Sequence, residues 1–404
     1  MAVGYDRREG WLRDGIPPDH EDPMYVPGFV ISTLLAMLLA GAPNDPPLPE
    51  VPPGVVLQET RYPDGQLKTR QETRRGRAGE MEILGRRWHY DPSGHLTTLS
   101  SWNGVFRDGP WVEYARDGQV TLEGSYKRGQ RDGTFVHYDS TGRTLREVTY
   151  RDNQRQGRLR EWHSSGTIVL EENYVNGKLD GARRERRPDG SLEIEEQYRD
   201  GRRNGLVTRW FPSGVKQLEV EYRDGRRHGR SSEWWENGKP RQQVGYLSGS
   251  MHGPYREWFA DGGVQMEGAY DRGMPVGVWK SFHADEGHPL ATEQVYVEGK
   301  LDGLVQAWDP AGELLSQVRW ENGLEHGRWE EWYAGGNLRG RGAWERGKPA
   351  GVWEFWHEDG ARWSRTEHAR GVRHGRHTEW TADGEVVTDE RYQAGELVAP
   401  PTAP

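Results

Sequence analysis

The amino-acid sequence predicts an all-β fold, an elongated array of about 13 tandem 24-residue β-hairpin repeats that form one twisted antiparallel meander or solenoid. Three observations predict it. A glycine recurs every 24 residues, aromatic side chains recur at two fixed positions between these glycines, and Asp-Gly or Asn-Gly steps separate short segments. Self-similarity at such a fixed period indicates a repeat architecture, in which each unit packs against its neighbours.

The composition excludes several classes of protein. Only 33% of the 404 residues are apolar, but aromatic residues make up 11% and include 19 Trp, which is untypical of a disordered chain. Lys and Arg number 54 and Asp and Glu number 63, so the net charge is −9 and both signs are mixed. This balance gives no indication of a nucleic-acid partner. The absence of cysteine excludes disulfides, thiol catalysis and thiolate metal sites.

The only long apolar run lies near the N-terminus. Residues 29–40 read FVISTLLAMLLA, a stretch too short to span a bilayer comfortably. A small-residue A-x-A pattern and a Pro-rich linker over 43–54 follow it. This order predicts a signal-peptide-like segment over 1–42 and export to the periplasm or cell surface, and we expect a cytoplasmic protein if the segment is not used. Whether Met1 or Met24 is the start, and whether the segment is cleaved, stay open.

The repeats follow a degenerate unit over 55–84, which we interpret as an N-terminal capping repeat. The array covers 85–395, and the Pro-containing tail 396–404 is expected to be disordered. The step between opening glycines is 24 residues, except in one longer repeat where it is 26. We count positions in a repeat from its opening glycine. The opening glycines are Gly85, Gly109, Gly133, Gly157, Gly181, Gly205, Gly229, Gly253, Gly277, Gly303, Gly327, Gly351 and Gly375.

Each repeat is predicted to be one β-hairpin. Its two segments of about six to eight residues are too short for typical helices, and no apolar stripe of period 3.6 is present. Glycine accepts the positive φ that hairpin turns require. A repeat supplies only about three large residues to a buried face, so each hairpin depends on its neighbours. With strands about 4.8 Å apart, the array would extend roughly 120 Å.

The predicted core depends on the geometry of the hairpin turn. In WVEYARDGQVTLEGSY we take RDG as a three-residue loop with Gly118 in a left-handed bulge. This turn places Tyr114, at position five, on one face with Leu122 and Tyr126. Trp111, at position two, falls on the other face. Position five is aromatic in twelve of the thirteen repeats, whereas position two also accepts Arg, Ser and His. The sequence therefore predicts position five in the core and position two exposed.

Tryptophans at position two are the first candidate site. Trp329 and Trp353 lie in adjacent repeats, and Trp279 lies two repeats before Trp329. Exposed Trp is typical of surfaces that bind a protein or a sugar. The alternative is that these rings pack on one another and shield the open face of the sheet.

A row of basic turn residues is the second candidate site. Arg202, Arg203, Arg226 and Arg227 fall on adjacent turns at one edge of the predicted sheet. A continuous basic stripe would bind phosphate or anionic lipid. The alternative is solubilising turn charge, which also opposes edge-to-edge strand pairing.

No pattern in the sequence predicts an enzyme. Glutamate recurs at position four, where we expect a solvated ladder with arginines of neighbouring strands, because a single sheet forms no pocket. Neighbouring copies of the turn histidine, such as His228 and His252, would lie about 10 Å apart, too far to share a metal ion. Nucleotide-binding, hydrolase and metalloprotease motifs are absent from the sequence. We therefore expect no catalytic residue, no metal site and no cofactor.

The residues of the repeats also resemble a known family. Units such as YVNGKLDGARRERRPDGSL and WENGLEHGRWEEWYAGGNL resemble the MORN-repeat variant (membrane occupation and recognition nexus) over about 310 residues. Bacterial proteins with such repeats include a group labelled YwqK-type antitoxins of toxin–antitoxin systems. The resemblance implies a non-catalytic string of β-hairpins that binds a partner protein, and in its specific form neutralises a toxin as an antitoxin or immunity-type component. The alternative is a cell-envelope scaffold that binds anionic lipid or glycan through the basic turns.

Overall fold

A computed structural model of the protein describes residues 50–76 and 79–398. These residues form strands and turns only, so the described part contains no helix that could cross a membrane. The predicted signal-like segment over 1–42 lies outside the described residues, as do most of the Pro-rich linker and the end of the tail. The sheet belongs to one compact unit that spans Leu48–Pro404. The predicted all-β fold is confirmed.

The described part has 33 strands. In chain order they are β1 (Val56–Arg61), β2 (Leu67–Arg75), β3 (Met81–Tyr90), β4 (Leu96–Asn103), β5 (Phe106–Tyr114), β6 (Val120–Lys127), β7 (Gln130–Arg131), β8 (Gly133–Tyr138), β9 (Thr144–Arg151), β10 (Gln154–Trp162), β11 (Ile168–Val175), β12 (Lys178–Leu179), β13 (Gly181–Arg186), β14 (Leu192–Arg199), β15 (Arg202–Arg203), β16 (Gly205–Trp210), β17 (Lys216–Arg223), β18 (Arg226–Trp234), β19 (Pro240–Leu247), β20 (Ser250–Trp258), β21 (Val264–Asp271), β22 (Met274–Phe282), β23 (Leu290–Val297), β24 (Lys300–Leu301), β25 (Gly303–Trp308), β26 (Leu314–Glu321), β27 (Leu324–Trp332), β28 (Leu338–Glu345), β29 (Lys348–Trp356), β30 (Arg362–Ala369), β31 (Val372–Trp380), β32 (Val386–Gln393) and β33 (Glu396–Leu397).

These strands form one antiparallel meander. Each long strand pairs with the next long strand along the chain, as β3 with β4, β4 with β5 and β5 with β6. Several strands are interrupted just before the opening glycine, so that β7 and β8 both pair with β6, and β12 and β13 both pair with β11. Each repeat therefore contributes one hairpin, and the predicted tandem array is confirmed.

The hairpin turn inside a repeat spans five residues, except in the longer repeat, where it spans 283–289. In one repeat the N–H of Ala115 donates to the carbonyl of Gln119 (2.8 Å), and the N–H of Gly118 donates to the carbonyl of Ala115 (3.0 Å). Gly118 has a φ of 85°, which glycine adopts without strain, so its predicted left-handed conformation is present. These turns line one side of the sheet, which we call the hairpin-turn edge.

The turns that connect successive repeats line the opposite side, the connecting-turn edge. Arg128 has a φ of 50° and Gly129 has a φ of 82°, the left-handed pair that matches the twist of the flanking strands. The N–H of Gly129 donates to the carbonyl of Arg107 in the preceding connecting turn (2.8 Å), and Gly225 donates to Arg203 in the same way (2.8 Å). Successive connecting turns are therefore hydrogen-bonded into a continuous edge.

The structure reverses the predicted assignment of faces. Tyr114 pairs with Val120, but Glu113 pairs with Leu122, so one extra residue forms a bulge beside the hairpin turn. A one-residue shift moves the remainder of a strand to the other face. Leu122 therefore lies on the face of Trp111, and Tyr114 lies on the opposite face. The prediction that position five is the core column and position two is exposed is therefore wrong, except in the first repeat, where Tyr90 at position five is buried with Leu67 and Trp88.

We call the face that carries position two the front face and the other the back face. Position two forms the most buried column of the front face, where Leu159 is 1% exposed and Phe135 and Val207 are also buried. Residues at position 15 of the neighbouring strands lie directly opposite, as Val148 and Glu172 do beside Leu159. The buried column thus continues from strand to strand across the sheet.

Opposed residues in this column match in size or in charge. Gly342 stands against Trp353, because a Cβ on Gly342 would lie well inside van der Waals distance of the indole ring. Arg183 stands between two carboxylates, Glu172 and Glu196. A charged residue at position two can therefore be buried when its neighbour on the next strand carries the opposite charge. The residues at position two alone do not show this.

The back face carries a ladder of charged side chains. The guanidinium of Arg160 lies 3.8 Å from the carboxylates of both Glu147 and Glu171, and that of Arg256 lies 2.6 Å from Glu267. These carboxylates come from position 14. The expected ladder of position-four glutamates is present on the front face, where Glu161 lies 3.2 Å from Arg146 and Glu331 lies 2.7 Å from Arg339. Exposed pairs of this kind each stabilise the fold by only about 0–1 kcal/mol.

Candidate functional site

The front face is built differently in the N-terminal and C-terminal repeats. In five repeats of the N-terminal half, position 17 is a tyrosine whose ring is covered by an arginine from position 22 of the preceding repeat. The guanidinium of Arg131 lies 4.3 Å from the ring centroid of Tyr150, and that of Arg203 lies 5.6 Å from Tyr222. Such cation–π contacts add to the packing of these rings. The chain itself therefore covers this half of the face.

A charged cluster interrupts the apolar column within that half. Arg183 contacts Glu172 and Glu196, with nitrogen–oxygen distances of 3.0 Å each. Glu196 is 1% exposed and also lies 2.7 Å from Arg203. The hydroxyl of Tyr174 donates to Glu172 (2.7 Å), and burial together with that bond raises the pKa of Tyr174 to about 12. These charges are satisfied within the chain, so the cluster offers little to a ligand.

The C-terminal half lacks the arginine cover. Position 17 is a tryptophan in two successive repeats, Trp320 and Trp344, and both rings stay partly exposed. No arginine occupies position 22 in the repeats that open at Gly253, Gly277, Gly303 and Gly327, where the residues are Pro275, Leu301, Glu325 and Pro349. The cover returns only at the end of the array, where Arg373 lies 5.3 Å from the ring centroid of Tyr392. Indole surface on this half of the front face is therefore open to a partner.

Two glycines let aromatic rings of separate strands meet in this half. Gly340 and Gly342 leave the front face of β28 without side chains at its centre. Trp329 of β27 and Trp353 of β29 stack across it, with ring centroids 5.0 Å apart and 26° between the planes. Trp344 meets Trp353 edge-on, also at 5.0 Å. Aromatic pairs of this geometry each contribute about 0.5–1.5 kcal/mol beyond their burial. The rings therefore form one rigid slab.

We define the aromatic face by the side chains of this slab and its extension along the front face: Trp279, Tyr296, Trp320, Trp329, Trp344, Trp353, Phe355 and Trp363. Trp363 is 47% exposed, and its ring centroid lies 5.9 Å from that of Phe355. Among the described residues, the buried indole N–H groups of Trp279, Trp344 and Trp353 have no hydrogen-bond partner, and neither has that of Trp320. Buried donors are nearly always paired in native proteins. The described part of the chain therefore supplies no acceptor for these four indole N–H groups of the aromatic face.

The three tryptophans predicted from the sequence lie within the aromatic face but not as exposed anchors. Trp279 and Trp353 are 9% and 8% exposed, and Trp329 is partly exposed. Their predicted full exposure is wrong because position two is the buried column. The alternative that the rings pack on one another describes Trp329 and Trp353. Whether the three residues contact a partner stays a prediction.

Sequence reasoning missed Trp363, the exposed member of the aromatic face. It lies at position 12, beside the bulge, where the other repeats carry polar or aliphatic residues such as Gln265, Leu315 and Arg339. An aromatic residue that departs from its own column was a signal available in the sequence. The sequence prediction used only the residues that most repeats share at a given position, and it therefore did not include Trp363.

The four predicted arginines lie on the connecting-turn edge and divide into two pairs. Arg203 and Arg227 lie over tyrosine rings, at 5.6 and 5.2 Å from the centroids, so they contribute to the packing of the front face. Arg202 and Arg226 are exposed. Arg227 is exposed as well, so three of the four predicted members are open to a ligand and Arg203 is partly buried.

More basic side chains extend this stripe. We define the basic edge as eight exposed side chains of the connecting turns that form no ion pair in the part of the chain that the structure describes: Lys127, Arg128, Arg151, Lys178, Arg199, Arg202, Arg223 and Arg226. Three exposed aspartates are interleaved with them: Asp152, Asp200 and Asp224. Cations therefore outnumber anions along five consecutive turns.

The described residues bring no group of three or more histidine, aspartate or glutamate side chains close enough to hold a metal ion. The turn histidines instead contact single neighbouring acids, as His252 contacts Asp271 (3.1 Å) and His326 contacts Glu321 (3.7 Å). Two open depressions of about 750 and 410 Å³ lie on the sheet near Tyr255 and around Trp279. The geometry thus offers surfaces for binding rather than an enclosed site.

Comparison with protein families supports the nature of the repeat. A family model described as MORN repeat variant matches residues 107–128 and 227–247. The chain therefore carries repeats of this variant, as its residues predicted. A search of curated proteins finds no match.

Three solved structures of toxin complexes are distantly similar. The crystal structure of TcdB2-TccC3-Cdc42 matches 85% of this chain at 12% identity, with a TM-score of 0.14. TcdB2-TccC3 without its hypervariable C-terminal region matches 80% at 12% identity and a TM-score of 0.14. A Tc holotoxin pore of Photorhabdus luminescens matches 82% at 10% identity and a TM-score of 0.14. This chain covers 22% of each matched chain. At these scores the similarity bears on neither fold nor function.

Proposed function

We propose that this chain of MORN-variant repeats is a non-catalytic protein that binds a partner protein through its aromatic face. The observation that supports the proposal is the slab of stacked rings that ends in the exposed Trp363. Aromatic side chains, and Trp above all, are enriched at the centres of protein interfaces and contribute much of their binding energy. Exposed apolar patches of this kind mark interaction surfaces.

A protein partner suits this face better than a small molecule. Small-molecule sites are concave and enclose most of the ligand, whereas the aromatic face lies on one side of an open sheet. Its exposed ring is also held in place, because Phe355 contacts both Trp363 and Trp329 at centroid distances of 5.9 Å. A ring that is already ordered loses little conformational entropy on binding.

The specific form of the proposal is a toxin-neutralising component of the antitoxin or immunity type. Its support is the resemblance of the repeats to those of YwqK-type antitoxins. The signal-like segment over 1–42 adds the proposal that the chain is exported to the periplasm or cell surface and meets its partner there.

The test is capture of a partner from host extract by the tagged full-length chain, washed in high salt and identified by mass spectrometry. We expect one abundant protein in stoichiometric amount. Trp363→Ala should weaken its affinity about tenfold or more, because a central Trp contributes on the order of 2 kcal/mol. Phe106→Ala is the matched control, since Phe106 is an exposed aromatic ring on the connecting-turn edge.

Two results would contradict the proposal or its specific form. Unchanged capture by a folded Trp363→Ala/Trp329→Ala variant would exclude the aromatic face as the binding surface. For the specific form, the captured protein is expressed in host cells with and without this chain. Growth that is arrested only in the absence of this chain supports neutralisation, and growth that is the same in both cases excludes it.

A second candidate function is binding to anionic lipid or glycan, as a cell-envelope scaffold. The basic edge favours it, because eight exposed cations without ion pairs line five consecutive turns. Each such cation near an anionic membrane contributes about 1 kcal/mol, and the attraction falls with salt. The test is sedimentation with phosphatidylglycerol vesicles. Binding that Arg202→Glu/Arg226→Glu removes supports this candidate, and no binding at low salt excludes it.

A further inference from the structure

We propose that two copies of this chain associate edge to edge, with the basic edge of one copy against an acidic edge of the other. The proposal is independent of the proposed function, because neither edge includes a residue of the aromatic face. Its evidence is charge complementarity between two surfaces of the same chain.

The acidic edge lies on the hairpin-turn edge of the C-terminal repeats. We define it by seven exposed carboxylates that form no ion pair in the described residues: Asp285, Glu286, Glu313, Glu358, Asp359, Asp383 and Glu385. The turns 283–289, 309–313, 333–337, 357–361 and 381–385 contain no lysine or arginine. Four of these five consecutive turns therefore carry negative charge only, and the turn 333–337 between them is uncharged.

Both edges are continuous because successive turns are bonded to one another. On the acidic edge the N–H of Gly335 donates to the carboxylate of Glu313 (2.9 Å), and the amide of Asn337 donates to the carbonyl of Glu358 (2.9 Å). On the basic edge the N–H of Gly225 donates to the carbonyl of Arg203 (2.8 Å). The charged side chains thus stand on turns with fixed spacing.

The regular spacing of the charged turns favours a second copy of this chain as the partner. Each edge presents one turn per repeat, and a repeat advances the sheet by two strands, or about 10 Å. A surface of unrelated spacing would align with one or two turns of the basic edge. The acidic edge of a second copy has the same spacing and the same strand twist, so each of its four charged turns can face a turn of the basic edge.

The two edges cannot satisfy each other within one copy, because they line opposite sides of the same sheet. Pairing two copies leaves one basic edge and one acidic edge unpaired, so further copies can add at either end. Contacts of this head-to-tail kind are open-ended unless a rotation closes them. The mass of the assembly should therefore rise with concentration.

The chain's own repeats supply substitutions that the turns accept. Arg202→Glu/Arg226→Glu lowers the net charge of the basic edge, with its three exposed aspartates, from +5 to +1, and Glu396 already occupies the equivalent position of the last connecting turn. Glu358→Arg/Glu385→Lys changes the net charge of the acidic edge from −7 to −3, and Arg116 and Lys239 occupy the equivalent positions in other hairpin turns. Loss of folding is therefore not the expected effect of either double substitution.

The test is sedimentation equilibrium of the full chain at about 20 mM and about 500 mM salt, conditions under which the Debye length changes severalfold. At low salt we expect a weight-average mass that rises with concentration above that of the 46.3 kDa monomer. At high salt we expect the monomer. Either double variant alone should have a lower weight-average mass than the wild type at low salt, because one of its two edges has lost charge and attracts the other more weakly.

An equimolar mixture of the two double variants should associate more strongly than either variant alone, since the first keeps the acidic edge unaltered and the second keeps the basic edge unaltered. Arg370→Glu is the control, because Arg370 lies on the connecting-turn edge beyond the basic edge and Glu298 occupies its position elsewhere. A wild-type chain that stays monomeric at low salt overturns the proposal, even if it binds phosphatidylglycerol vesicles. Association of both double variants as strong as that of the wild type also overturns it.

Discussion

At the scale of single residues, the front face is specified by opposed pairs. Val148 faces Leu159, both of intermediate size, whereas Gly342 faces Trp353 and leaves room for its ring. In each pair the two side chains together fill the space between the strands, because protein interiors are packed as densely as organic crystals. A substitution at one member should therefore be judged by its partner.

Gly342→Ala tests this pairing. The added methyl group would meet the Trp353 ring and disturb its stack on Trp329, so we expect a loss of about 1–3 kcal/mol in the free energy of unfolding. The measurement is a urea titration followed by Trp fluorescence. Gly342→Val/Trp353→Leu reproduces the pair formed by Val148 and Leu159, and it should recover part of the loss. A Gly342→Ala variant as stable as wild type would refute paired packing.

At the scale of elements, the opposed side chains of β11, β13 and β14 match one another in charge and not in size. Arg183 of β13 lies between Glu172 of β11 and Glu196 of β14. Burial by itself lowers the pKa of Arg183, but the carboxylates of Glu185, Glu172 and Glu196 outweigh it and raise the pKa overall. The guanidinium therefore stays charged, and the strands depend on it to neutralise buried carboxylates.

We expect Arg183→Ala to destabilise the protein by about 3–5 kcal/mol, because it leaves buried carboxylates without their partner. Replacing the whole cluster by Glu172→Val/Arg183→Leu/Glu196→Val should instead be close to neutral, since a well-packed apolar set often equals a buried ion pair. Urea titrations of both variants provide the measurement. Equal losses in the single and triple variants would show that the charges themselves stabilise these strands.

These elements also show what the sequence could predict. The 24-residue step of the glycines was sufficient for the hairpins, the turns and the left-handed Gly118, because each follows from local chemistry. The bulge between Val120 and Leu122 could not be predicted, since the hairpin turn fits the sequence equally well whether Leu122 shares a face with Tyr114 or with Glu113. That single bulge decides which face is buried, so it reversed the roles of Trp329 and Trp332. Matched pairs such as Glu172 with Arg183 contained the missing information.

At the scale of the whole molecule, the front face depends on every strand keeping its direction. Each repeat contains two strands, so removal of a complete repeat leaves all later strands in the same direction and on the same face. Removal of half a repeat requires the later strands to run in the opposite direction. To continue the sheet, that block must turn over, which places its position-two column on the back face.

Deletion of residues 205–228 should therefore give a folded protein. The junction joins Asn204 to Gly229, an Asn-Gly step like the one it replaces, and both cationic partners of Glu196 are retained. We expect a cooperative urea transition whose slope is lower than in wild type, because less surface is exposed on unfolding. Deletion of 205–216, half a repeat, should instead leave the strands around the junction unpaired and sensitive to protease.

Limited proteolysis with mapping of the cleaved bonds distinguishes the two deletions. The half-repeat variant should be cut near the junction within the time that leaves wild type and the full-repeat variant intact, because unpaired strands open locally at low cost. Equal resistance of the two deletions would mean that the later repeats can turn over without loss. The buried column of the front face would then contribute little to the stability of the array, contrary to its packing.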